Sequence, residues 1–146
     1  MINTVVRQIA FYEFERRVHT ERRNGELTAD QLGKFWLEVQ AESLGPAIRL
    51  REGYETFWTY IPHFIHSPFY VYAYAFGDCL VNSLYAVYRQ AEHGFQEKYF
   101  EMLRAGGTKH HSELLKPFGL DASDPAFWQS GLGVIGKLID ELEALD

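Results

Sequence analysis

This chain is short of features that a self-contained enzyme or an exported domain would carry. It has one cysteine, Cys79, which excludes an internal disulfide framework and suits a reducing compartment. Nowhere does it contain His-Glu-x-x-His, the spacing that puts two zinc-binding histidines on one helix face with a glutamate as general base. It has no glycine-rich phosphate loop either. Gly131, Gly133 and Gly136 follow no strand and read as helix-packing positions. Basic residues are outnumbered, 14 to 20, for a net charge of −6. They interleave with acids (Arg16, Arg17, Glu21, Arg22, Arg23), so there is no basic stripe for nucleic acid. The apolar run from Phe69 to Tyr88 approaches membrane-spanning length, but Gly77, Asp78, Asn82 and Ser83 interrupt it. A buried helix is the better reading, with no membrane partner. Met1-Ile2-Asn3-Thr4-Val5-Val6-Arg7 lacks the basic start and small-residue cleavage site of a signal peptide. A soluble, cytoplasmic protein is expected.

What is present is apolar and aromatic. Hydrophobic residues make up 47% and aromatics 16% of 146 residues, enough for one folded domain over residues 1–146 with a substantial core. The apolar spacing is helical nearly throughout, and the predicted fold class is all-α. Val6, Ile9, Ala10, Phe14 and Val18 mark a helix from Asn3 to about Arg23, stopped by Asn24-Gly25. Thr28-Ala29-Asp30-Gln31 is a capping box opening a second helix through Leu32, Phe35, Trp36, Val39 and Gln40, and Gly45-Pro46 breaks it. A less regular aromatic stretch runs to Ile61-Pro62. Ser67-Pro68 then reads as N-cap and first-turn proline of a long helix through Tyr88. An isolated strand over Tyr70-Val71-Tyr72-Ala73-Tyr74 is the local alternative. Shorter helices follow over Glu97–Leu103 and Ser112–Phe118. Asp124-Pro125 starts another, and Gly131–Leu145 is the last. Helical periodicity is already running a few residues after Met1, which fits a lobe of something longer, one that docks on a partner, or a small helical domain that simply starts with a helix.

Candidate chemistry concentrates between Pro62 and Gly77. On a helix, Tyr70 and Tyr74 are four apart and share a face, with Tyr72 on the other side. Two phenols beside His63 and His66 could aim several donors at one point, as stabilisation of a developing oxyanion requires. The plainer reading is that these tyrosines are large amphipathic core residues whose hydroxyls find nearby acceptors. His63 alone fits a hydrogen-bonding or acid–base loop histidine as well as a structural one. His110-His111-Ser112-Glu113 has no second ligand cluster to accompany it and reads as a solvated helix start capped by Ser112. Glu15 and His19, like Glu13 and Arg17, are spaced for surface pairing, and no inward Glu-x-x-His pairs suggest a di-iron bundle. Glu92-His93-Gly94 reads as a helix end. Cys79 reads as a buried, inert thiol.

Several blocks together carry a family resemblance. They are Asn3-Thr4-Val5-Val6-Arg7-Gln8-Ile9-Ala10-Phe11-Tyr12-Glu13-Phe14-Glu15, Phe57-Trp58 with Ile61-Pro62-His63-Phe64, and Phe69-Tyr70-Val71-Tyr72-Ala73-Tyr74-Ala75-Phe76-Gly77. Ala105-Gly106-Gly107-Thr108, Glu113-Leu114-Leu115-Lys116 and Gly119-Leu120-Asp121 complete them. Over almost the whole chain these resemble the C-terminal part of oligoendopeptidase F, a zinc metallopeptidase of the thimet-oligopeptidase type. The resemblance implies a mostly helical shell around a deep channel. It implies zinc in the full-length enzyme, held by the His-Glu-x-x-His segment and a downstream glutamate that this chain lacks, so no metal ligands are expected here. It assigns His63, Tyr70 and Tyr74 to catalysis as oxyanion donors, and leaves neighbouring His66 and Tyr72 as candidates for substrate binding. Two departures stand out: family members carry tyrosine where this chain has His66, and Ser67-Pro68 is one residue longer than the usual spacing. The implied activity is hydrolysis of short peptides, and the implied partners are those peptides and the missing N-terminal catalytic half. The isolated chain is expected to be inactive, and to self-associate through an exposed apolar face unless the short helices close over it. The alternatives are a stand-alone helical module that binds peptides without cutting them, and a degenerate relative with a structural role.

Overall fold

The computed structural model describes residues 2–145, and among them every regular element is helical. Helix α1 spans Ile2–Glu21 and runs into a 3-10 turn, Arg22–Asn24. It stops at Gly25, whose φ of 145° a side chain would resist. Helix α2, Ala29–Leu44, opens with the capping box its sequence predicts. Thr28 Oγ1 accepts the Gln31 N–H at 3.3 Å, and Gln31 Oε1 accepts the Thr28 N–H at 2.8 Å. The aromatic stretch forms a 3-10 helix over Tyr54–Tyr60. Then come α3 (His63–His66), α4 (Tyr72–Gln90), α5 (Phe95–Ala105), α6 (His111–Leu115) with a 3-10 turn over Lys116–Phe118, and α7 (Pro125–Glu143).

Three boundaries differ from the sequence reading. The long helix does not begin at Ser67-Pro68. His63–His66 closes a helical turn of its own, Ser67 leaves helical space at φ −144° and ψ 62°, and Phe69 is left-handed at φ 61°. Helix α4 therefore starts at Tyr72, four residues past the proline. Asp124-Pro125 and Gly131 do not start separate helices. Asp124 Oδ1 accepts the Ala126 N–H at 2.8 Å, and α7 runs on without a break. Finally, α6 is capped by His110, whose Nδ1 accepts the Ser112 N–H at 3.4 Å, and not by Ser112 itself. His93 lies beyond the end of α4, in the connection to α5.

The helices group into two compact units, residues 1–76 and 77–146. The first is organised by aromatics. Phe11 and Phe14 of α1 meet the fully buried Trp36 of α2 at ring distances of 5.5 and 5.2 Å. Val39, Ile61 and Val71 complete that core. Each such side chain contributes roughly 1.5–3 kcal/mol by leaving water. Ile9 of the predicted stripe is 49% exposed, and Phe11 takes the inward place instead. Phe64 packs on Phe11 and Phe14, at 5.7 and 5.1 Å, and so seats α3 against the core.

In the second unit Cys79, Leu84, Leu115, Phe118, Phe127 and Ile135 are buried. Helices α4 and α7 approach closely at Gly131. A Cβ there would lie 2.7 Å from the Cys79 carbonyl oxygen and 2.9 Å from Ser83 Oγ. The Ser83 hydroxyl donates to the Phe127 carbonyl at 2.9 Å beside that crossing. Gly133 and Gly136 have nothing within 4 Å, so of the three predicted packing glycines only Gly131 packs closely. Among the described residues no helix is long and apolar enough to cross a membrane.

Candidate functional site

Seating Phe64 in the core leaves its neighbour His63 facing the turn that precedes α4. His63 Nε2 and Tyr74 Oη are 2.9 Å apart. The Tyr74 ring stands edge-on to both the His63 ring (5.6 Å, 87°) and the Tyr70 ring (5.5 Å, 86°). Tyr70 lies parallel to His63, at 6.2 Å and 6°. His63, Tyr70 and Tyr74 thus form one cluster inside the first unit. Tyr70 is 51% and Tyr74 40% exposed, so the cluster is open to a ligand.

Tyr70 is not on the same helix as Tyr74; it precedes α4. Its carbonyl accepts the Ala73 N–H at 2.9 Å, and its N–H donates to Ser67 O at 3.3 Å. A tight turn, and not helical spacing of four, brings the two phenols together. Val71, fully buried between them in sequence, pins that turn to the core.

The other predicted site residues lie apart. His66 is exposed at the end of α3, and no hydrogen bond or ring contact joins it to the cluster among the described residues. Tyr72 is 54% exposed with its ring edge-on to Tyr12 at 6.5 Å. The His110 and His111 rings sit 4.0 Å apart, and His110 Nδ1 is 2.9 Å from Ser112 Oγ, consistent with a helix cap. Among the described residues no three His, Cys, Asp or Glu side chains converge where they could hold a metal ion. The residues present therefore do not fit a zinc site by themselves. What the cluster offers is hydrogen-bond donation.

One residue behind the site was misread from sequence. Glu15 is only 2% exposed and is not a surface partner of His19. Its Oε1 accepts the Phe69 N–H at 2.7 Å. Phe69 sits at φ 61°, which costs a non-glycine residue roughly 1–2 kcal/mol. A hydrogen bond to a charged group, worth about 1.5–3 kcal/mol, is enough to offset that. Glu13 pairs with Arg16 at 2.6 Å, and Arg17 reaches across to Glu38 of α2 at 2.6 Å. The available signal for Glu15 was its register. It lies four residues after Phe11 and one after Phe14, which places its carboxylate on the buried face.

The sequence model of peptidase family M3 matches residues 1–134. The chain belongs to that family. Its M3 relatives include the oligopeptidase PepF of Bacillus subtilis, 29% identical over 143 residues, 97% of this chain and 21% of the relative. An oligoendopeptidase F homolog of Borreliella burgdorferi is 28% identical over 146 residues, 99% of this chain and 25% of the relative. The fold is similar to the crystal structure of a protein from Chlamydophila abortus assigned as a peptidase. There the TM-score is 0.84 at 30% identity, covering 99% of this chain and 24% of that one. The chain thus spans about a fifth to a quarter of the length of these three proteins.

Proposed function

We propose that this chain is the C-terminal lobe of a zinc endopeptidase that hydrolyses short peptides, and that its share of the work is to bind substrate and stabilise the oxyanion. The observation that carries this reading is the His63–Tyr74 contact of 2.9 Å with Tyr70 standing beside it, in a chain of family M3. With its proton on Nε2, His63 donates to Tyr74 Oη, which frees the phenol proton to point outward. Tyr70 supplies a second phenol donor from the facing ring. Two such donors at the place where charge develops on a carbonyl oxygen lower the barrier. His66 and Tyr72, exposed to either side in sequence, contact the peptide away from the reacting carbonyl. The zinc that the resemblance implies is held by residues outside those present here, and it would supply carbonyl polarisation and an activated water.

This division of labour makes the isolated chain inactive, and its uncovered apolar face prone to self-association. Elemental analysis after dialysis against trace zinc, with a short-peptide cleavage assay on the same material, tests it. Zinc near zero and no cleavage are expected. Zinc near one per chain with chelator-sensitive hydrolysis would overturn the reading. A second reading, a module that holds peptides without cutting them, draws on the fact that the cluster is assembled wholly within the first unit. Peptide binding by a chain that gains no activity when its zinc-bearing counterpart is supplied would favour it.

A further inference from the structure

Glu15 and His19, one turn apart on α1, both contact Phe69. Glu15 Oε1 takes the Phe69 backbone N–H at 2.7 Å, and one turn along α1 the His19 ring lies 4.5 Å from the Phe69 ring. Phe69 needs gripping, because it is left-handed at φ 61° and its ring is half-exposed. Burial of the ring therefore does not explain its strained backbone. The bond spans 54 residues of sequence and lands in the tight turn between Ser67 and Tyr70. Glu15 itself is 2% exposed, and its second oxygen, Oε2, is buried with no hydrogen-bond partner among the described residues. A carboxylate held this far from water for one backbone contact is costly unless that contact matters to the fold.

We propose that Glu15 is a positioning residue for the His63–Tyr70–Tyr74 cluster, holding Phe69 in its left-handed conformation and thereby setting where Tyr70 stands. His19 supports it by backing the Phe69 ring. The consequence for catalysis rests on reading that cluster as the oxyanion site; the positioning itself does not.

The test is NMR on the isotopically labelled 146-residue chain, reading the proton–proton contacts between the His63 and Tyr70 rings and the Phe69 amide shift. Glu15→Gln keeps an acceptor oxygen and is expected to retain the ring contacts. Glu15→Ala is expected to lose them and to move the Phe69 amide, while the Trp128 indole signal in the second unit stays in place. Adding Phe69→Gly to Glu15→Ala is expected to restore the turn, because glycine adopts this φ without an anchor. A folded Glu15→Ala chain that keeps its His63–Tyr70 contacts would overturn the proposal. If Glu15→Ala does not fold, the double variant Glu15→Ala/Phe69→Gly is read instead, and its failure to give a folded chain with the His63–Tyr70 contacts would overturn the proposal equally. Contacts that respond as expected in a chain that neither binds nor helps to cut peptides would support the positioning while sinking the functional reading, so the two fail separately.

Discussion

His63, Tyr70 and Tyr74 are ordinary residues brought together by where the backbone places them. His63 was legible as a candidate from its neighbours, and Tyr70 and Tyr74 from their spacing, but the reason they meet was not. The spacing of four implied a helix face, whereas the structure uses a strained turn anchored by Val71 and Glu15. Glu15 was unreadable as an anchor because its partner is a backbone N–H 54 positions away, which no local pattern reveals. Buried Cys79 and partly buried Tyr54 make a prediction of another kind. Burial, with Asp78 close by, pushes the Cys79 thiol up, and burial pushes the Tyr54 phenol up against the opposing pull of Arg7. Both groups bind their protons more tightly folded than unfolded. Their contribution is fully present below the unfolded values and is lost as pH rises through the raised ones. Melting temperature is expected to fall above about pH 8.5, the ordinary cysteine value. In Cys79→Ala that onset should shift towards the tyrosine range. Thermal melts between neutral pH and the phenol range, with and without the substitution, check both points.

The elements show where local signals suffice. The Thr28 capping box, the Gly25 stop and the Asp124 cap all act as their sequences say, because each is satisfied by residues within a few positions. Ser67-Pro68 misleads for the opposite reason. A preceding helical turn, seated by Phe64, claims the chain first and displaces the start of α4 to Tyr72. The glycines of α7 divide in the same manner, since periodicity cannot tell which one meets a neighbouring helix. Gly131→Ala would put a methyl 2.7 Å from the Cys79 carbonyl. It is expected to destabilise the second unit by about 1–3 kcal/mol, outweighing the gain in helix propensity. Gly136→Ala meets nothing within 4 Å and is expected to stabilise by up to about 1 kcal/mol. Urea unfolding of both variants decides the matter. Equal effects would mean that the α4–α7 crossing at Gly131 is not tight.

At the scale of the whole molecule, the all-helical class followed from periodicity, and membership of family M3 follows from the match over residues 1–134. The proposal that this chain donates hydrogen bonds to an oxyanion while other residues hold the metal draws on two things. The cluster is open and assembled in the first unit, and the chain spans only 21–25% of the Bacillus subtilis and Borreliella burgdorferi relatives. The exposed apolar residues Val81, Tyr85, Tyr88 and Phe100 line a hollow of about 300 Å³ in the second unit.

The most direct test is a chimera in which this chain replaces its matching segment of Bacillus subtilis oligopeptidase PepF, compared with and without Tyr74→Phe by steady-state hydrolysis of a short peptide. The account predicts a kcat lower by about 10²–10³ for Tyr74→Phe, with KM little changed, as expected for a donor that acts mainly in the transition state. A kcat within about two-fold of the unsubstituted chimera, far short of the loss expected for an oxyanion donor, would contradict it.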